Sequence, residues 1–205
     1  MKRQILTSLL LAGSFCFLFF SSPTQACGHE GWYFGTGYSQ LLQYSPNNQL
    51  TAAGVSSLGR INFKTRWGGY AKVGYDFCAS RWGVELPVSF NRQRLNRSEM
   101  VNVIGVDLNA LFHIIETQNG IDFYWIGGTG MNIITDGSIN NNTGAGGINF
   151  NFGPGFQYFL DQKRNVSLNF SVPAKYTLYF GSHLSQGHTS VIGIPLLAGF
   201  TVGFK

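Results

Sequence analysis

Charge is what this chain has least of. Of its 205 residues, 11% are Asp, Glu, Lys or Arg, against about a quarter in an ordinary soluble domain. The formal net charge is +5, with Lys2 and Arg3 among the contributors. No basic helix or clustered cationic stripe goes with it, which argues against nucleic acid as a partner. Cysteine is nearly missing, at three residues. The histidines His29, His113, His183 and His188 lack metal-ligand spacing, and no cofactor is expected. Beyond residue 20 no apolar run approaches the roughly 20 residues of a membrane-spanning helix.

What is present starts with a leader. Lys2 and Arg3 precede an apolar run from Ile5 to Phe20, and Ser21-Ser22-Pro23-Thr24-Gln25-Ala26 follows. A charged start, an apolar middle and a small-residue end predict a signal peptide over residues 1–26 and a single mature domain over 27–205. An N-terminal anchor fits less well, because Thr7, Ser8, Gly13 and Ser14 interrupt the run. Cys27 comes directly after the cleavage site, but Thr24 stands where a lipobox normally has Leu.

The mature chain has a period of two. Ile148, Phe150, Phe152, Phe156, Tyr158 and Leu160 alternate with Asn149, Asn151, Gly153, Gly155 and Gln157. Successive strand side chains point to opposite faces, so this is a strand with one apolar wall and one small, polar wall. It is about as long as the 9–11 residues a tilted strand needs to cross a bilayer. Similar alternation predicts strands at Gly31 to Gln40, Trp67 to Phe77, Trp82 to Asn91, Val101 to Ile114, Ile121 to Asn132, Ile148 to Leu160 and Asn165 to Lys175. A last strand, with Ile192, Ile194, Leu196, Ala198, Phe200, Val202 and Phe204 on one face, ends the chain. The fifth is blurred by Y-W-I-G-G-T-G. Long connections are expected at Leu41–Lys64, Arg92–Met100, Ile133–Gly147 and Tyr176–His188, and short turns at Cys78–Arg81, Glu116–Gly120 and Asp161–Arg164.

The fold expected is all-β: an eight-stranded antiparallel up-and-down transmembrane β-barrel with short periplasmic turns and longer external loops. Trp32, Trp67, Trp82 and Trp125 fall near strand ends, at girdle positions. A secreted lipocalin-like barrel would put the same apolar rows inside. Lipocalins begin with Gly-x-Trp, and here Glu30 stands two residues before Trp32. Pro87, Pro154, Pro173 and Pro195 all fall within expected strands, and each should mark a bulge or kink.

The stretches G-W-Y-F-G-T-G-Y-S (31–39), W-G-G-Y-A-K-V-G-Y-D-F (67–77), W-G-V-E-L (82–86) and G-F-T-V-G-F-K (199–205) resemble the small outer-membrane barrel superfamily of the OmpA transmembrane domain, OmpX and the opacity proteins. The resemblance implies the bacterial outer membrane as location, with its lipid and lipopolysaccharide as surroundings. It implies handling by the barrel-assembly machinery, which reads a terminal aromatic; here Phe204 is penultimate and Lys205 follows. It also implies a non-enzymatic structural or surface role, with a host or surface ligand at the external loops. A narrow small-solute channel is the alternative.

Three groups of candidate residues follow. The inward set, Lys72, Asp76, Glu85, Asp107, Asn109, His113, Asn149, Asn151 and Lys175, is expected to form a lumenal polar network. An unpaired buried charge is costly, and counting back from the turn at Cys78–Arg81 puts Lys72 opposite Leu86 and one diagonal step from Glu85. Cys27 and Cys78, the only mature cysteines, are candidates for a disulfide in an exported chain; free thiols or a lipidated Cys27 are the other readings. Arg60, Lys64, Arg66, Arg92, Arg94 and Arg97 would ring the external end at the level of lipopolysaccharide phosphates. His183-x-Ser185 resembles the His-x-Ser of lipid A deacylases, but no acidic residue follows Ser185 to orient a base, so a polar loop is the preferred reading.

Overall fold

A computed structural model describes residues 31–44, 63–77, 80–95, 99–117, 119–136, 144–180 and 188–204. Every element is a strand: β1 (Gly31–Tyr44), β2 (Phe63–Asp76), β3 (Trp82–Leu95), β4 (Glu99–Glu116), β5 (Ile121–Asp136), β6 (Gly144–Phe159), β7 (Val166–Ser171), β8 (Ala174–Phe180) and β9 (His188–Phe204). Neighbours in sequence pair antiparallel, with β7 and β8 both lying between β6 and β9 as two halves of one stave. The ring closes where β1 pairs with β9 from Trp32↔Phe204 to Tyr44↔Ile192. Eight staves therefore form a closed antiparallel barrel, which leaves no sheet edge to lipid where the ring is complete.

The direction of the faces is now fixed. Phe152 is 65% exposed, while its neighbour Asn151 is 5% exposed. Trp32, Phe34, Val73, Leu86, Leu108, Phe150, Phe170 and Phe200 likewise lie on the outside. Lys72, Glu85, Asp107 and Asn149 are buried. Apolar outside and polar inside is the pattern of a barrel in lipid, and it excludes the lipocalin-like arrangement. Trp82 packs on Phe112, Trp125 stacks on Phe152 and Trp67 meets Phe90. All four tryptophans face outward.

The strands are longer than alternation alone suggested. β4 has 18 residues and β5 has 16, so β4 extends roughly 60 Å along its own axis. Tilted, it still overshoots an apolar band about 25 Å tall. Tight turns fix one end, so the excess emerges at the other. The expected loops at Leu41–Lys64, Arg92–Met100, Ile133–Gly147 and Tyr176–His188 are accordingly shorter, because strand pairing continues into each. β3 ends at Leu95 and β4 begins at Glu99. This connection is no longer than the opposite turns, so loop lengths alternate less regularly than expected. The interval 45–62 between β1 and β2 is the long one.

β5 alternates cleanly despite its sequence. Phe123, Trp125, Met131 and Ile133 point out; Asp122, Tyr124, Ile126, Asn132 and Ile134 are buried. The pattern was hidden because Tyr124 and Ile126 are large residues turned inward, while outward Gly127 and Thr129 are small or polar.

The prolines do not sit at bulges. Register shifts fall instead at Arg66 and Ile114. At each proline the register continues but pairing is interrupted on one side or both. Pro87 pairs with Lys72 on β2, whereas the β3–β4 ladder skips from Glu85↔Asn109 to Val88↔Val106. Pro173 lies between β7 and β8, where pairing lapses toward both neighbours. In the continued registers it faces Gly153 on β6 and Pro195 on β9, and Pro154 faces Val172. Three prolines without an N–H thus share one gap. Val172 N still donates to Pro154 O at 3.0 Å.

Candidate functional site

The inward residues of β4 list the layers of the lumen in order: His113, Leu111, Asn109, Asp107, Val103, Val101. The layer nearest the short turns is ionic. His113 Nδ1 lies 2.7 Å from Asp122 Oδ2, and Nε2 lies 3.3 Å from Asp76 Oδ1. This joins β4 to β5 and, over β3, to β2. Above it Tyr33, Leu111, Tyr124 and Ile126 form an apolar layer.

The central layer holds the remaining charges. Lys72 Nζ donates to Glu85 Oε2 at 2.9 Å, and Asn109 Nδ2 donates to Glu85 Oε1 at 3.1 Å. Asn151 Nδ2 then reaches Asn109 Oδ1 at 3.1 Å, passing over β5. Lys175 Nζ on β8 meets Asp107 Oδ2 on β4 at 2.7 Å, a bridge across the lumen. Tyr70 on β2 donates to Asn169 Oδ1 on β7 at 2.5 Å, and Asn169 donates to Thr201 at 2.5 Å. Ser39 bonds Asn91 at 2.9 Å, and Asn132 bonds Thr177 at 3.1 Å. The outermost layer is apolar again, built of Leu41, Val101, Val103, Ile134, Tyr179 and Val191.

Glycines make this filling geometrically feasible. A Cβ on Gly128 would lie 2.2 Å from Asn109 Oδ1, and one on Gly130 would lie 2.2 Å from Asp107 Oδ1. The G-G-T-G of β5 is the bed on which the central side chains lie. Gly74 does the same for the Tyr33 ring and Gly155 for Tyr124, each with a prospective Cβ contact of 2.2 Å. A small cavity lies in the central layer. Its space for water centres is about 30 Å³, and Glu85, Asp107, Asn151 and Lys175 are among its lining.

Of the nine residues in the inward set, Lys72, Glu85, Asn109 and Asn151 form one chain, Asp107 and Lys175 form a second pair, and Asp76 and His113 join the turn-side cluster. Asn149 is fully buried apart from these contacts, with neither amide atom hydrogen-bonded among the described residues. Lys72 stands opposite Pro87 rather than Leu86, so Glu85 is reached two positions along the strand. Asp122 was missed in the sequence although it completes the His113 cluster; its parity with Tyr124 was the available signal. The Tyr70–Asn169–Thr201 link was also missed, since pairing across a lumen leaves no local trace.

Cys27, Cys78, Arg60, Arg97, His183 and Ser185 lie outside the described residues. The ladder sets position 64 opposite 94, and position 92 opposite Trp67, with Arg66 as the extra residue between. Lys64, Arg66, Arg92 and Arg94 thus occupy neighbouring positions on one hairpin. Among the described residues no cluster could hold a metal ion. Both His113 ring nitrogens are engaged by carboxylates, an arrangement that ties strands together rather than activating a nucleophile.

A model of the outer membrane protein β-barrel domain family matches residues 12–194. No protein of established description matches the chain by sequence alone. Among solved structures, Neisserial surface protein A superposes with a TM-score of 0.62 at 14% identity, covering 87% of this chain and 99% of that one. The outer membrane protein OprG of Pseudomonas aeruginosa gives 0.48 at 16%, covering 86% and 98%. Ail, the attachment invasion locus protein of Yersinia pestis, gives 0.45 at 19%, covering 84% and 99%. At such identities the likeness is one of fold, and the first structure carries it. With the family match spanning most of the chain, and with lipid-facing apolar rows around a filled lumen, this protein belongs to the outer membrane protein β-barrel domain family and resides in the bacterial outer membrane.

Proposed function

We propose that this barrel is a closed, non-enzymatic scaffold whose role, structural or in surface interaction, is carried by the external ends of its strands and loops. The observation behind this reading is the pair of side-chain bridges across the lumen, Asp107–Lys175 and Tyr70–Asn169, with the Asn109–Asn151 bond beside them, held between two apolar layers. An eight-stranded barrel is just wide enough for its own side chains to fill. In this reading the inward charges are a plug, and specificity for a host or surface ligand lies outside. The test replaces residues 45–62 with a Gly-Ser linker in cells that display the chain. Retained heat-dependent gel mobility with loss of host-cell attachment is the expected result. Attachment that survives the replacement would move the role elsewhere on the barrel.

Arg60, Lys64, Arg66, Arg92, Arg94 and Arg97 anchor the barrel to phosphates of lipopolysaccharide in the same reading. Positions 64 and 94 are register partners, which sets two basic residues at one level of the hairpin, and an Arg guanidinium can pair with a phosphate bidentately. The neighbouring reading, a narrow solute channel, rests on the polar character of the central layer. It requires stable single-channel conductance that Lys72→Ala alters. A lipid-modifying enzyme would require changed lipid A on expression, lost with His183→Ala.

A further inference from the structure

Arg164 occupies a backbone region that its side chain disfavours. Among the described residues it is the one non-glycine with a positive φ, 57°, where an L side chain is strained. Its neighbour Asn165 is of a type that adopts this conformation more readily, yet the arginine stands there. Strain of this kind persists where surrounding contacts hold it, and such contacts are present. The Arg164 guanidinium donates to Thr117 O at 3.2 Å and pairs with Glu116, so the turn after β6 is tied to the turn after β4. The same guanidinium lies over the Phe159 ring, 5.6 Å from its centroid. Phe159 is buried, and its N–H donates to Gly120 O at 2.8 Å. The Arg164 side chain is 19% exposed, although it belongs to a turn at the end of the barrel. It lines a recess together with the inward residues Tyr33, Gln157, Ser167 and Thr201.

We propose that Arg164 is a cap on the turn-side mouth of the lumen. It straps two neighbouring turns together, holds Phe159 in the opening and keeps solutes from the layer of Gln157, Ser167 and Thr201. Gln157 Nε2 donates to Ser167 Oγ at 2.6 Å within that layer. Arginine suits the task. A planar guanidinium can lie against an aromatic ring and still donate in its own plane to a carbonyl and a carboxylate, whereas an ammonium has no such plane. The strained φ is what aims this long side chain inward from a turn that would otherwise carry it into water. The inference rests on the closed-scaffold reading and adds how one end of the lumen is shut.

The test uses barrel isolated from outer membranes, with its three native cysteines changed to Ser and Ser167→Cys as reporter. A charged, membrane-impermeant thiol reagent probes that reporter. Arg164 should protect it, and Arg164→Ala and Arg164→Gly should each speed labelling roughly tenfold or more, as expected when a local closed state is lost, with heat-dependent mobility kept. Arg164→Gly also removes the backbone strain, so faster labelling there assigns the protection to the guanidinium. Gln157→Cys, read in the same way, guards against a reporter that disturbs its own surroundings. Labelling rates that stay unchanged in both Arg164 variants would overturn the cap. Conductance recorded on the same proteins separates the two readings: unchanged labelling without current refutes the cap alone, whereas steady wild-type currents refute the closed scaffold.

Discussion

Lys72 and Glu85 show what a buried pair contributes. Each is almost wholly shielded, and they meet at 2.9 Å. Removing one partner leaves a charge in a low-dielectric lumen, a loss of roughly 3–5 kcal/mol. Lys72→Ala or Glu85→Ala should therefore shift the urea midpoint of vesicle-embedded barrel strongly. Lys72→Met combined with Glu85→Leu should shift it far less, because no unpaired charge remains. Additive losses in the double variant would contradict the pairing. Glycine niches make a second residue-scale prediction. Gly155→Ala places a Cβ against the Tyr124 ring and should lower folding yield, as read by heat-dependent mobility. Adding Tyr124→Ala should recover part of it, and failure to recover would separate the two residues. The parity of side chains along a strand is readable from alternation, because it depends only on local geometry. Partners such as Tyr70 and Asn169 are not, because 99 residues separate them and closure of the ring alone brings them together.

At the level of elements, the sequence conveyed strand number and direction of faces better than strand ends. Inside the bilayer one wall must be apolar, so a strand announces itself there. Beyond it β1 and β5 continue past their expected ends, through residues such as Gln43 and Thr135 that fall in the expected loops. The two ends of the barrel carry two predictions. Gly31 pairs with Asp76, Cys27 lies four residues before the former, and Cys78 two after the latter. A Cys27–Cys78 disulfide predicts a reductant-dependent change in monomer mobility, abolished by Cys78→Ser; unchanged mobility would leave free thiols or a lipidated Cys27. Mutating Arg60, Lys64, Arg66, Arg92, Arg94 and Arg97 together to Gln should remove the extra stability gained from phosphate-bearing lipopolysaccharide over a neutral lipid. Stability gain that persists in the six-fold variant would rule the anchoring out.

For the molecule as a whole, the barrel satisfies two solvents at once. Lipid meets Phe34, Phe150, Phe152 and Phe200, while the lumen encloses the Lys72–Glu85 and Lys175–Asp107 pairs and the His113 cluster with Asp76 and Asp122. Closure of β1 on β9 makes this possible, since the backbone needs no partner outside the ring. The prolines were the part the sequence left without a reason. They make sense only in the assembled ring, where Pro154, Pro173 and Pro195 fall on adjacent staves at one height. The central claim is that the lumen is shut. It is tested most directly by single-channel recording of the purified barrel in a planar bilayer, beside Lys72→Ala and the Lys72→Met, Glu85→Leu pair. The account predicts no stable conductance from the wild-type protein. Steady unitary currents that change in size with Lys72→Ala would contradict it and establish the lumen as a pathway.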